Sequence, residues 1–135
     1  SASGAPAQEG YEQVDFETLL TQSDIISVHA PLNEHTEGLI NSKAFEKMKS
    51  SCIFLNLGRG PIVDEQALYN ALVRNQIAAA GLDVLCEEPM SADNPLLKIK
   101  DSKRLLITPH IAWASVEART HLMEIIHGQV KDFFA

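Results

Sequence analysis

Apolar residues in this chain form two patterns: short unbroken runs, and longer stretches in which they recur every three or four positions. The unbroken runs, at 25–30, 52–57, 77–84 and 105–108, predict buried strands. Pro31 ends the first, Gly58 opens a tight turn after the second, and Pro109 ends the fourth. The third is built largely from small residues. Helices are predicted between them. One spans about 15–22, capped by Asp15, with Phe16, Leu19 and Leu20 on its apolar face. Another runs from Asn41 or Ser42 to about residue 49. A third runs from the cap Asp64 to about residue 75, with Ala67, Leu68, Ala71 and Leu72 on one side. A last, long helix starts at Ser115. It carries Ala118, Leu122, Ile126, Val130 and Phe134 as one continuous apolar face. A loop broken by Pro89 and Pro95 follows the third strand, and residues 1–10 are small, polar and expected to be loose.

Strands alternating with helices imply an α/β fold with a parallel sheet. The strand runs are apolar throughout rather than alternating, so helices are expected on both faces. A length of 135 residues suits one domain. The formal net charge of −7 argues against nucleic acid as a partner, because an acidic surface repels phosphates. No apolar run approaches the roughly 20 residues that span a bilayer, and the N-terminal residues lack a signal-peptide pattern. Two distant cysteines, Cys52 and Cys86, without secretory features suit unpaired thiols in a reducing compartment, which makes the cytoplasm the expected location.

Parallel strands place their carboxyl ends on one edge, where ligands of open α/β sheets bind. The expected strand ends there are His29-Ala-Pro31, Gly58-Arg-Gly60, Asp83 and Pro109-His110, with Glu88 shortly after the third strand. Arg59 between two glycines has room to grip a carboxylate bidentately. His110 exchanges a proton near neutral pH, and a nearby carboxylate such as Glu88 favours its imidazolium form. A carboxylate clamp beside a proton donor is what reduction of a 2-keto acid requires. Each residue also has an ordinary reading: Arg59 as a turn arginine, Glu88 as a solvated loop acid, His110 as a helix cap. Their shared edge favours the functional one. His29, His35, His121 and His127 lack convincing metal-ligand spacing, so no metal is expected. Gly58-Arg-Gly-Pro61 is not a dinucleotide fingerprint, since the last glycine is absent and Pro61 lacks a backbone donor.

Several stretches together resemble the D-isomer-specific 2-hydroxyacid dehydrogenases over about residues 11–135. They are Ser27-Val-His-Ala-Pro-Leu32, Asn56-Leu-Gly-Arg-Gly-Pro-Ile-Val-Asp64, Gly81-Leu-Asp-Val84 with Glu88-Pro89, Asp93-Asn-Pro-Leu-Leu97 and Thr108-Pro-His-Ile111. The resemblance implies a Rossmann-like domain, NAD as cofactor with NADP open, and a small 2-keto or 2-hydroxy acid as substrate. It implies Arg59, Glu88 and His110 as catalytic residues. It places His29, Ala30, Pro31, Leu57, Gly58, Asp83 and Ala112 along the cofactor, with Asp83 at the nicotinamide carboxamide. Pro109-His-Ile-Ala-Trp-Ala-Ser115 is most similar to glycerate dehydrogenases, that is, hydroxypyruvate reductases. A homodimer is the usual family assembly.

The same resemblance places the glycine-rich phosphate turn and the first two strands upstream of residue 1. Residues 1–135 then read as the C-terminal part of the cofactor domain, with the last helix, about 115–134, returning toward a substrate domain. Residues 10–14 would form a strand, and the 135-residue chain alone is expected to be inactive or nearly so. The alternative function is a nucleotide-sensing interaction protein of the corepressor type. The strand at 25–30 is left as a sheet edge, a surface prone to pairing with other chains. The isolated chain is therefore expected to self-associate through that edge or the last helix. A stable monomer at high concentration in size-exclusion chromatography contradicts this.

Overall fold

The computed structural model describes residues 10–101 and 103–134, so the expectation of a loose start falls almost wholly outside the described residues. In chain order the elements are α1 (Phe16–Gln22), β1 (Ile25–Val28), α2 (Ser42–Lys47), β2 (Ile53–Asn56), a 3-10 turn (Gly60–Ile62), α3 (Glu65–Val73), β3 (Ala79–Leu82), a second 3-10 turn (Pro95–Lys98), β4 (Leu105–Ile107) and α4 (Val116–Phe133). The helix starts follow from local chemistry. Side-chain oxygens of Asp15, Asn41, Asp64 and Ser115 each accept a first-turn N–H that has no partner within the helix. At the other end of α3, the Arg104 guanidinium donates to the carbonyls of Leu72, Ile77 and Ala78 and to the Asn75 side chain. It ties that helix end to the start of β3.

The four strands form one parallel sheet in the order β1-β2-β3-β4. Burial alternates along them. Ile26, Val28, Phe54, Asn56, Ala80 and Leu82 point into the core, whereas Ile25 is 61% exposed and Leu106 62%. Residues of α1, α2, α3 and the second 3-10 turn join the buried strand face in one core cluster. The expected helical cover on both faces is thus found on one face only among the described residues. Ile25, Ile53 and Leu106 have the apolar chemistry of a covered face, with no described element packed over it. Residues 10–14, expected to form a strand, form none, since a strand exists only where a neighbour completes its ladder. The apolar face of α4 is present as expected, yet none of that helix is buried. No helix among the described residues is long and apolar enough to cross a membrane.

At the centre of the core the Phe45 and Phe54 rings meet edge to face, with centroids 5.4 Å apart and planes at 80°. Both side chains are fully buried, so this contact docks α2 on β2. Phe54→Ala is expected to destabilise the chain by about 3–5 kcal/mol, because the ring's burial is lost and a cavity remains. Urea unfolding of the variant beside the parent chain checks this.

Candidate active site

The sheet register places Val28, Asn56, Leu82 and Ile107 in one row across all four strands. The chain leaves the sheet immediately after this row at every strand. His29, Leu57, Asp83 and Thr108 therefore emerge side by side on one edge, as the parallel topology predicts.

After β2 the turn is set by Asn56, which is 1% exposed. Its Oδ1 accepts from the Gly58 N–H at 3.1 Å, and its Nδ2 donates to the Arg59 carbonyl at 3.0 Å. Substrate access was the expected reason for the glycines beside Arg59, and the backbone supplies a different one. A Cβ on Gly58 would stand 3.0 Å from the Ala30 carbonyl oxygen, and one on Gly60 would stand 1.9 Å from that of Leu85. The glycines let neighbouring loops close on the turn. Arg59 itself is exposed, and its NH1 donates to the Gly58 carbonyl at 2.9 Å. With His29, Ala30, Pro31, Leu57 and Gly58 it lines a cavity of about 490 Å³. Beside that cavity, Thr36 donates to the Pro31 carbonyl at 2.7 Å and fixes the 31–36 turn. His29 Nε2 lies 2.8 Å from Ser27 Oγ.

A second cavity on this edge, about 580 Å³, is lined by Asp83, Glu88 and His110 among others. Asp83 is 3% exposed and anchors the loop after β4. Its Oδ1 accepts from the Thr108 hydroxyl and from the Ile111 N–H at 2.9 Å, while Oδ2 accepts from the Ala112 N–H at 2.8 Å. Between these anchors His110 adopts the left-handed conformation, with φ of 56°, a region uncommon for residues other than glycine. Its N–H donates to the Thr108 carbonyl at 3.0 Å, and the Trp113 indole N–H donates to its carbonyl at 2.8 Å. The imidazole Nδ1 lies 2.8 Å from Glu88 Oε2, and Nε2 has no partner among the described residues. The other Glu88 oxygen takes the Leu85 N–H at 2.8 Å.

These contacts set the charge states of the two acids. The Leu85 N–H first, then the His110 ring, hold the Glu88 carboxyl below the ordinary carboxylate range. Burial alone pushes Asp83 up; the hydrogen bonds from Thr108, Ala112 and Ile111 outweigh it and leave the carboxyl lowered. The structure thus brings Glu88 and His110 into contact and places Asp83 in the wall of the same cavity. Arg59, His29, Ala30, Pro31, Leu57 and Gly58 lie in the neighbouring cavity, and Ala112 is exposed on the anchored loop. Sequence reasoning missed Asn56, Thr108, Glu65 and Asn94. Glu65 and Asn94 bond each other across 29 residues, a separation that leaves no local pattern. Both cysteines are free, as expected, and burial with the Glu65 carboxylate pushes the Cys86 thiol up to about 11. No group of three or more metal-ligating side chains occurs among the described residues.

Comparison with known proteins identifies the family of the chain. The NAD binding domain of the D-isomer specific 2-hydroxyacid dehydrogenases matches residues 2–112. The chain belongs to this family. A hydroxypyruvate reductase from Blautia hydrogenotrophica is 46% identical over 125 residues, covering 93% of this chain and 38% of that protein. A glycerate dehydrogenase from Methylorubrum extorquens is 44% identical over 122 residues, covering 90% of this chain and 38% of that protein. Among solved structures, an acyclic imino acid reductase in complex with NADPH and D-Arg superposes with a TM-score of 0.85 at 36% identity. It covers 98% of this chain and 41% of that one. The chain thus spans about two fifths of the length of these two dehydrogenase relatives.

Asp83 makes a prediction about stability and pH. Its folded carboxyl is lowered, so its stabilising contribution is fully present above the ordinary value of 3.8 and is lost as pH falls through the depressed folded value. Asp83→Asn, which cannot accept both loop N–H groups and the Thr108 hydroxyl, is expected to cost about 1–3 kcal/mol at neutral pH. Urea unfolding at neutral and acid pH is expected to show the gap narrowing below that value.

Proposed function

We propose that this chain supplies the cofactor-side part of the active site in an NAD(P)-dependent D-2-hydroxyacid dehydrogenase. The reaction interconverts a small 2-keto acid and its 2-hydroxy acid, with hydroxypyruvate and D-glycerate as the favoured pair. The carrying observation is the Glu88–His110 contact at the mouth of the cavity beside β3 and β4. With Nδ1 held by Glu88, Nε2 is the nitrogen left to hand a proton to substrate. His110 would give that proton to the oxygen developing on C2 and take it back in the reverse direction. Glu88 fixes the ring and balances its charge. Arg59 retains N–H groups beyond the one on Gly58, and these would orient the substrate carboxylate.

The residues present fit a dinucleotide. Two cavities open on one sheet edge, one lined by Ala30 and Gly58 and the other by Asp83 and His110, and together they would make a lane for it. His29, Ala30, Pro31, Leu57 and Gly58 would hold the cofactor along that lane, and Asp83 and Ala112 would flank its nicotinamide end. When bound, the cofactor supplies the hydride. NAD is the preferred form, and NADP is the other member of the pair.

The described relatives are enzymes, which favours a dehydrogenase over the nucleotide-sensing interaction protein. As an assembly we infer a cytoplasmic homodimer that binds no nucleic acid. Supporting this are the net charge of −7 and the exposed apolar face of α4, including Leu122, Ile126 and Val130. We place α4 as the segment that returns toward a substrate domain.

Oxidation of NADH and NADPH by the intact polypeptide is the test. Hydroxypyruvate, glyoxylate, pyruvate and 3-phosphohydroxypyruvate are run in parallel. Hydroxypyruvate is expected to be turned over fastest. His110→Asn is expected to lower kcat by about 100- to 10 000-fold. Arg59→Ala is expected to lower kcat/KM by about 10- to 100-fold through loss of a charged hydrogen bond. Tight nucleotide binding with no turnover of any keto acid overturns the dehydrogenase in favour of the interaction protein.

A further inference from the structure

Contacts outside the Glu88–His110 pair converge on the segment that carries Glu88. Glu65 opens α3, whose Ala67, Leu68, Ala71 and Leu72 are buried, so it stands on a base fixed in the core. Its Oε1 accepts from the Cys86 backbone N–H at 2.8 Å, and its Oε2 accepts from Asn94 Nδ2 at 2.7 Å. Asn94 is 7% exposed, and its Oδ1 already accepts from the Leu96 N–H at 2.9 Å. That bond orients the amide, so only its NH2 faces Glu65. One carboxylate therefore grips both roots of the loop between β3 and the second 3-10 turn. Glu88 lies between those roots.

We propose that Glu65 is a positioning residue for the reaction. Together with Asn94 it forms a clasp that sets where the Glu88 carboxylate stands against His110. The catalytic consequence rests on the dehydrogenase reading above; the placement of Glu88 does not, and it is measurable without turnover. The clasp pairs one donor side chain with one acceptor, which makes it reversible by design. Glu65→Gln sets an amide NH2 against an amide NH2, and Asn94→Asp sets a carboxylate against a carboxylate. The two together restore a donor facing an acceptor and still serve the Cys86 and Leu96 N–H groups. Glu88 and Asp83, the acids that face His110, are untouched by the exchange.

The test compares the intact protein with both single variants and the double variant. Two readouts are followed: the held Nδ1 proton of His110 in 1H–15N NMR, and kcat with hydroxypyruvate and NADH. Thermal unfolding is recorded alongside. Each single variant is expected to lose the Nδ1 proton signal to exchange with water and to lower kcat by about three- to tenfold. The double variant is expected to regain the signal and return kcat to within about twofold of the parent. Single variants that unfold at lower temperature but keep the signal and kcat overturn the proposal, leaving the clasp purely structural. A double variant that restores neither readout also overturns it, as does a parent protein without a held Nδ1 proton. Absence of any keto-acid reduction by the parent overturns the dehydrogenase reading instead, and the NMR signal still decides the clasp.

Discussion

Parallel pairing in a single register ends all four strands in one row, and the site depends on that row. Because Val28, Asn56, Leu82 and Ile107 stand level, four separate loops begin at the same height on the same edge. No loop has to travel to reach the others. The cost is that each loop leaves the sheet with backbone donors and acceptors that the ladder no longer satisfies.

Buried and half-buried polar side chains offset that cost. Asn56 closes the turn after β2, Asp83 gathers the loop after β4, and Glu65 with Asn94 holds the loop after β3. Among the described residues no buried side-chain nitrogen or oxygen lacks a partner. A carboxylate or amide in such a place is expensive to leave half satisfied, so each loop has one well-defined arrangement. Glycines do the complementary work. Gly60 lets the Leu85 backbone come close, which brings the Glu88 loop against the Arg59 turn.

Elements governed by local chemistry were readable in the sequence. Asp15, Asp64 and Ser115 announced their helices, and the apolar runs announced strands whose ends collect the site residues. The runs were longer than the strands because the flanking apolar residues, such as Cys52, Ile77 and Val84, are buried without continuing the ladder. Properties that depend on what packs against a segment were not readable. Ile25 and Ile53 look the same in sequence whether or not a helix lies over them. Gly58 and Gly60 signal a close approach without saying what approaches. Asp83 was read through its expected place beside a cofactor, and its three bonds to the loop after β4 were not foreseen. Those bonds join residues 25 to 29 positions apart, beyond the reach of any local pattern.

The left-handed backbone at His110 gives this position a narrow evolutionary vocabulary. Residues that sit comfortably in that region are glycine and the short polar types, while β-branched side chains are excluded by sterics before chemistry is consulted. A substitution that keeps this backbone would favour asparagine or glycine. Either would leave the Asp83 anchorage and the surrounding fold intact while removing the transferable proton. A lineage losing turnover by that route would keep the architecture and surrender only the reaction, so an inactive descendant would be hard to tell from an active one by shape.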